Sequence, residues 1–311
     1  MTGQPSQPLR DPMRVFDRTL VRAHRDRAAP GFRDHDFLVA EVADRLTDRL
    51  ADINRKFSTV LDLGCHTGQL GRALQLRTDI KTLVQTDLSR GMLETATGLR
   101  VAADEEALPF ADQTFDLIAS VLSLHWVNDL PGTLAQINRC LKPDGVFLGA
   151  LLGGNTLQEL RAAFLEGELE IKGGAGPHIS PFAEVRDVGG LLQRAGFALP
   201  VADVETLTVT YPNPFALMAE LRGMGETNAL ADGRPAPLSR STLSATAAAY
   251  ARSQGDTDGR VPATFDILYM TGWRPDPSQP QPLRPGSAST RLADALGSEE
   301  QSAGDKTPRG Q

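Results

Sequence analysis

The sequence is short of cysteine and of positive charge. Cys65 and Cys140 are the only cysteines among 311 residues, which excludes a disulfide framework and gives no support for a cysteine metal site. Lys and Arg number 32 against 39 Asp and Glu, for a formal net charge of -7. Nucleic-acid binding usually needs a clustered positive surface, so we expect no nucleic-acid partner.

Long apolar runs are also missing. No run is long enough to cross a bilayer, and the start lacks the short apolar core of a secretory signal. We therefore expect no integral membrane segment, while peripheral membrane association stays open. Together with the reduced cysteines, this pattern predicts a cytoplasmic protein.

Composition divides the chain into four parts. Residues 1–12 and 275–311 are rich in Pro, Ser, Gly and Gln and are predicted to be disordered. Residues 13–54 are predicted to form an N-terminal helical cap and residues 55–274 an α/β domain with an insertion at about 212–262. In this domain apolar strand-like runs alternate with amphipathic helical ones, as in a parallel sheet covered by helices on both faces.

Local patterns place the predicted elements of this domain. Buried strands are predicted at 59–63, 82–86, 115–122 and 146–152, and alternating strands near 207–211 and 265–269. Lys142-Pro143-Asp144-Gly145 is a strong turn signal before the fourth of these strands. Within the insertion, residues 215–221 and 239–252 have helical composition.

A glycine loop follows the first predicted strand, in Asp62-Leu63-Gly64-Cys65-His66-Thr67-Gly68. Gly64 and Gly68 would let the backbone approach a ligand closely. Asp87, which ends the second strand, is placed to accept from both ribose hydroxyls, and Asp104 could accept from an adenine amino group. A nicotinamide site is the weaker alternative, because the spacing is not G-x-G-x-x-G. The predicted cofactor-binding residues are Asp62, Gly64, Cys65, His66, Gly68, Asp87, Leu88, Met92, Asp104, Glu105 and Ser120.

These motifs, with Leu108-Pro109-Phe110 and Phe115-Asp116-Leu117, resemble those of class I methyltransferases over about residues 55–150. The resemblance implies S-adenosylmethionine as cofactor and a Rossmann-like, doubly wound α/β sheet of seven strands, the last two forming an antiparallel edge. The Asn/Asp-Pro-Pro-Tyr turn of members that methylate planar amides or adenine is replaced by Ser120-Val121-Leu122-Ser123. This replacement argues against those substrates.

Further segments resemble the arginine-hydroxylase type of respiratory complex I assembly factor, and more distantly the malonyl-carrier-protein methyltransferase of biotin synthesis. These segments are Phe16-Asp17-Arg18, Arg25 to Ala29, Ser123 to Pro131, Pro177 to Phe182, Gly223 to Asn228 and Val261 to Thr264. The resemblance implies hydroxylation of an arginine in an iron–sulfur subunit of complex I, which would be the protein partner. One departure is His66, where the superfamily pattern has a central glycine. If the position needs positive φ, histidine is strained there, and its ring could crowd the methionine end of the cofactor.

Candidate catalytic residues are His125, His178 and Glu226. His125 follows the predicted strand 115–122 and could act as a base, although a structural role beside Trp126 is the more common one. His178 and Glu226 lie in Pro- and Gly-flanked segments, where a structural turn is equally reasonable. No local metal-ligand spacing is present, so we predict no metal site.

Four arginines, Arg14, Arg18, Arg22 and Arg25, share one helical face by spacing. This face is either solvated, or it covers the cofactor cleft or meets an acidic partner. Three functions follow from the sequence: a methyltransferase acting on a protein or small molecule, an arginine hydroxylase of complex I assembly, and a non-catalytic assembly chaperone.

Overall fold

The computed structural model describes residues 14–231, 238–280, 290 and 292–298. The predicted disordered segment 1–12 lies outside these residues, as does most of the predicted tail 275–311. The chain divides into two compact units, Met1–Asp276 and Pro277–Gln311. The described part of the second unit contains the short helix Leu292–Leu296, and everything below concerns the first unit.

Among the described residues of the first unit, strands and helices alternate along most of the chain. The strands are β1 Thr59–Leu63, β2 Thr82–Asp87, β3 Leu99–Ala102, β4 Phe115–Val121, β5 Leu141–Leu152, β6 Ala198–Tyr211 and β7 Val261–Trp273. The α-helices are α1 Arg18–Ala28, α2 Phe37–Ala51, α3 Gln69–Leu74, α4 Arg90–Leu93, α5 Leu130–Cys140, α6 Gln158–Lys172, α7 Val185–Arg194, α8 Pro214–Gly223 and α9 Arg240–Gln254. Two 3₁₀ segments, Ala29–Asp34 and Leu124–Trp126, complete the list.

The described strands form one sheet of seven in the order β3-β2-β1-β4-β5-β7-β6. β1 to β5 pair in parallel, whereas β7 is antiparallel to both β5 and β6. This arrangement confirms the predicted doubly wound α/β sheet with an antiparallel edge. The strand order reverses between β1 and β4, and in such sheets ligands bind beyond the carboxyl ends of the strands at this point.

Both faces of the sheet are covered, which explains why β1 and β4 read as nearly continuous apolar runs. On one face α2 buries Leu38, Val42 and Leu46, spaced four residues apart along one side of the helix. On the other face α5 and α7 pack their apolar sides, including Ile137 and Leu192, against the sheet. The segment from 13 to 54 thus contributes α2 to the main core.

Two local predictions need correction. β3 was not predicted, because it has four residues, three of which are exposed, and so gives too short an apolar signal. The predicted turn at 142–145 lies inside β5. There Phe115 of β4 pairs with Leu141 and Leu117 pairs with Val146, so the register of the two strands shifts between these pairs. The turn residues therefore form a bulge, with Asp144 at φ 59°, and the strand continues through it.

The region predicted as an insertion, 212–262, contains α8 and α9 at the positions where helical composition was noted. Residues 232–237 within it lie outside the described residues. α9 packs closely on α6, since a Cβ on Gly167 would come within 2.5 Å of the Thr246 nitrogen. No helix in the described ranges is long and apolar enough to span a membrane.

Candidate functional site

The loop after β1 folds tightly against the end of β4. Gly64 and Gly68 have φ of 71° and 87°, in the left-handed region that favours glycine. A Cβ on Gly64 would lie 2.1 Å from the Ser123 hydroxyl oxygen. Gly64 therefore allows the Ser123 side chain to approach the loop more closely than a residue with a Cβ would permit.

His66 adopts φ 49°, so the position has the left-handed conformation expected of the glycine it replaces. Its ring is buried and stacks on Phe32, with centroids 5.6 Å apart. Nε2 donates toward the carbonyl oxygens of Val121 and Leu122, at 3.1 and 3.2 Å, and Nδ1 has no partner among the described residues. Burial and the nearby Arg25 lower the pKa of His66, which keeps the ring neutral at pH 7.

Asp87 ends β2 and is completely buried. Its Oδ2 accepts from the His66 amide at 3.0 Å, and its Oδ1 accepts from the Ser89 amide at 2.8 Å. Nη1 of Arg25 lies 3.3 Å from both oxygens. The predicted ribose acceptor is therefore engaged by the chain itself.

Arg25 reaches this site from α1 and is 1% exposed. Besides Asp87, its Nη1 contacts Glu105 at 3.1 Å, and its Nη2 donates to the Ser123 hydroxyl at 2.8 Å. Ser123 in turn donates to Glu105 at 2.6 Å. Burial would lower the pKa of Arg25, but the carboxylates of Asp87 and Glu105 outweigh it and raise the pKa.

Arg18 lies on the same face of α1 as Arg25 and covers the outer end of the same site. It pairs with Asp104 at 2.6 Å, with Glu105, and with the Trp126 carbonyl at 3.2 Å. Burial would raise the pKa of Glu105, but the guanidinium groups of Arg18 and Arg25 and the Ser123 hydroxyl bring it to about 2. The sequence left two interpretations of the face that carries the four arginines. The structure supports the one in which α1 covers the cleft, although Arg14 and Arg22 are exposed.

In this form the inner cleft does not accept a nucleoside, because the acceptors of Asp87 and Glu105 are bonded to guanidinium groups. An open cleft of about 530 Å³ remains outside α1, lined by Leu88, Asp104, Arg22 and their neighbours. Of the predicted cofactor residues, Leu88 and Asp104 therefore face open space. Asp87 and Glu105 lie behind the helix.

The other predicted cofactor residues lie within the protein interior. Cys65 packs with Leu93 and Ala96, and burial raises the pKa of its thiol well above the usual value. Met92 belongs to the main core. Ser120 is buried in β4, and its hydroxyl has no partner among the described residues. Ser123, beyond the strand end, is the serine that contacts the acidic cluster, and the role predicted for Ser120 stays a prediction.

Asp62 lies in β1 beneath the glycine loop and is fully buried. Its Oδ2 accepts from the Gln85 amide nitrogen at 3.0 Å, whereas Oδ1 has no partner in the described part of the chain. Burial raises the pKa of Asp62 to about 7. This carboxyl therefore changes charge near neutral pH.

His125 and Glu226, 101 residues apart, form a buried pair beside this cluster. The two side chains meet at 3.0 Å through Nε2 and Oε2, and the Trp126 indole nitrogen donates to the same oxygen at 2.9 Å. Burial would raise the pKa of Glu226, but His125, Arg25 and Trp126 lower it. Glu226 thus stays ionised at neutral pH, and no hydrogen bond from a described residue reaches its Oε1.

A cavity of about 40 Å³ lies next to this pair, with Glu226, Trp126, His178 and Ser180 in its wall. His178 stacks on Phe164 and lies 3.0 Å from Glu168. The structure therefore brings His178 to the same cavity as Glu226, but pairs it with a different carboxylate. No group of three or more His, Cys, Asp or Glu side chains that could hold a metal occurs among the described residues.

Sequence reasoning missed Ser123 and Phe32 and left the role of Arg25 open. The spacing of Arg18 and Arg25, seven residues apart on one face, was the available signal for α1. No local sequence pattern marked Phe32 as the partner of the His66 ring, because the contact joins the 3₁₀ segment Ala29–Asp34 to the loop after β1.

Comparison with known proteins adds independent evidence. The family model described as "Methyltransferase domain" matches residues 61–149. Arginine-hydroxylase NDUFAF5, mitochondrial, from Danio rerio is 45% identical over 292 residues, covering 92% of this chain and 90% of that protein. The malonyl-[acyl-carrier protein] O-methyltransferase of Gallionella capsiferriformans is 33% identical, covering 85% and 93%.

Among solved structures, phosphoethanolamine N-methyltransferase 2 of Haemonchus contortus, in complex with phosphomonomethylethanolamine and S-adenosylhomocysteine, has a TM-score of 0.51. Its sequence identity is 16%, and the match covers 82% of this chain and 60% of that one. At this identity the likeness supports the fold alone.

The prediction of a cytoplasmic location is wrong by these comparisons. The Danio rerio relative carries "mitochondrial" in its name, which contradicts the expectation of a cytoplasmic protein. Two buried, free cysteines fit any reducing compartment, so the composition could not distinguish the cytoplasm from another such compartment. By its sequence and its fold, this chain belongs to the class I methyltransferase family, in which it is close to arginine-hydroxylase NDUFAF5.

Proposed function

We propose that this chain modifies an arginine side chain of a protein, an iron–sulfur subunit of respiratory complex I, and that the modification is hydroxylation. The name of the Danio rerio relative supports the arginine and the reaction. The observation in this chain that carries the proposal is Glu226, an ionised carboxylate buried beside a cavity. Guanidinium groups pair best with such carboxylates.

Glu226 is the group we expect to receive the substrate guanidinium. Its Oε2 is fixed by His125 and Trp126, so the carboxylate is held in one orientation, and Oε1 is the acceptor for the incoming arginine. The cavity of about 40 Å³ holds on the order of one water molecule. The cavity must therefore enlarge to admit an arginine side chain, and the 223–228 segment, which contributes Met224, Glu226 and Asn228 to its wall, is where we expect the movement.

S-adenosylmethionine is the proposed cofactor. Gly64 and Gly68 fit the close approach of its methionine end, and Asp87 fits the ribose hydroxyls once Arg25 leaves. When bound, it would supply an electrophilic methyl group, which serves the methyl-transfer candidate. Hydroxylation instead inserts an oxygen atom and would take it from dioxygen, with two electrons from a separate donor. The chain's own residues align the groups and exclude water, with α1 over the cleft.

Methyl transfer is the second candidate, favoured by the Methyltransferase domain match at residues 61–149. One experiment separates it from hydroxylation. Peptides of the complex I iron–sulfur subunit are analysed by mass spectrometry from cells that lack this chain and from cells that express it again. Hydroxylation adds an oxygen atom to one arginine, whereas methylation adds a methylene unit.

The matched variants are Glu226→Gln and Glu166→Gln. Glu226→Gln keeps the shape but weakens guanidinium binding, so we expect at least about a tenfold loss of the modified peptide, given the 2–5 kcal/mol of a buried charged contact. Glu166 pairs with Arg252 on the surface, and its variant should behave as wild type. An unmodified arginine in wild-type cells, or an arginine still modified without this chain, would rule out the enzymatic proposal and leave the assembly chaperone.

A further inference from the structure

α1 is attached to the cleft by charge more than by apolar burial. Of its eleven residues, the buried ones are Val21, His24, Arg25 and Ala28, so only two apolar side chains are buried. α2 buries six apolar side chains. Because burial of apolar area is what normally fixes a helix, α1 is the more easily detached of the two.

Several further contacts of α1 are polar and lie at its rim. Asp26 accepts from the Ser89 hydroxyl at 2.5 Å, Arg27 donates to Thr227 at 3.2 Å, and His24 meets the same hydroxyl at 2.8 Å. Polar contacts of this kind are replaced by contacts with water when a helix moves away, so each contributes little net stability. Separation of α1 would expose Val21 and Ala28 but would leave the apolar side of α2 in place.

Arg25 is the cation that balances the buried carboxylates behind α1. Asp87 and Glu105 contact it directly, and Glu226 lies close enough to raise its pKa. Glu105 also pairs with Arg18, whereas Arg25 is the one cation that contacts Asp87 among the described residues. If Arg25 withdrew alone, Asp87 would be left buried without a counter-charge, which is strongly unfavourable. Whatever replaces Arg25 in this cleft should therefore carry a positive charge.

We propose that α1 is a latch on the cofactor cleft, in which Arg25 fills the site as an internal cation and is exchanged for a cationic ligand when α1 withdraws. The inference rests on the proposed binding of S-adenosylmethionine, whose sulfonium carries that charge. The ribose of the ligand and the guanidinium of Arg25 need the same oxygens of Asp87, so the two exclude each other. The carboxylates that Arg25 leaves also make the cleft prefer the sulfonium over the neutral thioether of S-adenosylhomocysteine.

The test is calorimetric titration of both ligands into the wild-type chain, Arg25→Ala and Arg33→Ala. Arg33 is an exposed arginine in the 3₁₀ segment that follows α1, outside the acidic cluster, and its variant controls for loss of one charge. We expect Arg25→Ala to bind S-adenosylmethionine about 5- to 150-fold more tightly than wild type, the usual range of coupling between competing states. The preference over S-adenosylhomocysteine should be retained in this variant, because the carboxylates remain, and Arg33→Ala should match wild type.

Hydrogen exchange on the wild-type chain gives a second readout that needs no variant. Saturation with S-adenosylmethionine should speed the exchange of amides in 18–28 and leave those of α2 unchanged. Equal or weaker binding by Arg25→Ala, or slower exchange of 18–28 with ligand, would overturn the latch while leaving cofactor binding intact. Absence of binding by both wild type and Arg25→Ala would overturn the latch and the proposed cofactor together.

Discussion

At the scale of single residues, His66 shows how packing outweighs backbone strain. A non-glycine residue in the left-handed region costs about 1–2 kcal/mol. The buried ring contributes more than this, since deleting large buried side chains typically costs about 2–5 kcal/mol. The two carbonyls at the end of β4 also depend on its Nε2 proton.

We therefore expect His66→Gly to lower the free energy of unfolding by about 1–3 kcal/mol, although glycine suits φ 49° better. Urea unfolding measures this. The matched control is Gln113→Gly, at φ 54° and exposed, where strain is relieved with no ring to lose. Unfolding free energy should be unchanged or higher in the control, and a His66→Gly variant as stable as wild type would contradict the argument.

Asp62 makes stability depend on pH near neutrality. Its pKa is raised from 3.8 to about 7 in the folded chain, so between these values the folded state binds more protons than the unfolded state. The free energy of unfolding should then fall as the pH rises from about 4 to about 7, on the order of a few kcal/mol. Asp62→Asn should remove most of this slope, whereas Asp112→Asn, at an exposed carboxylate, should keep it.

At the scale of elements, the start of α1 controls how often the helix opens. Asp17 is its N-cap, and its Oδ1 accepts from the amides of Thr19 and Leu20 at 3.0 and 3.3 Å. Loss of an N-cap costs about 1 kcal/mol, which raises the open fraction about fivefold. Asp17→Ala should therefore speed hydrogen exchange in 18–28.

The control for this element is Ser239→Ala, which removes the N-cap of α9. Exchange should then rise in α9 alone. An Asp17→Ala variant with unchanged exchange in 18–28 would show that α1 is fixed by contacts other than its cap.

At the scale of the whole molecule, the buried ion cluster gives the fold an acid limit. The pKa of Glu105 falls to about 2 from an ordinary 4.5, so its stabilisation is complete above pH 4.5 and is lost as the pH drops toward 2. Glu105→Gln should therefore destabilise the chain at pH 6 and have a much smaller effect at pH 2. Thermal unfolding of both proteins across this range measures the difference, and a difference independent of pH would contradict the assignment.

Local signals in the sequence determined much of the fold. Residues within a few positions of one another predict where β1 begins and ends and that a loop follows it. They also predict the left-handed conformation of His66. Both are possible because strand periodicity and glycine conformation are local properties. β3 was missed because it is short and mostly exposed, so it gives no clear hydrophobic pattern. The predicted cellular location was wrong because two reduced cysteines do not distinguish one reducing compartment from another.

Only the tertiary structure decided which charges meet. Arg25 and Asp87 are 62 residues apart, and His125 and Glu226 are 101 apart. Such pairs form because sheet order and helix packing bring their backbones together. No local sequence pattern encodes which distant residues will meet. The sequence by itself therefore predicted a nucleoside-binding loop at the strand ends, and the fold alone showed that an arginine of the same chain pairs with Asp87 beyond that loop.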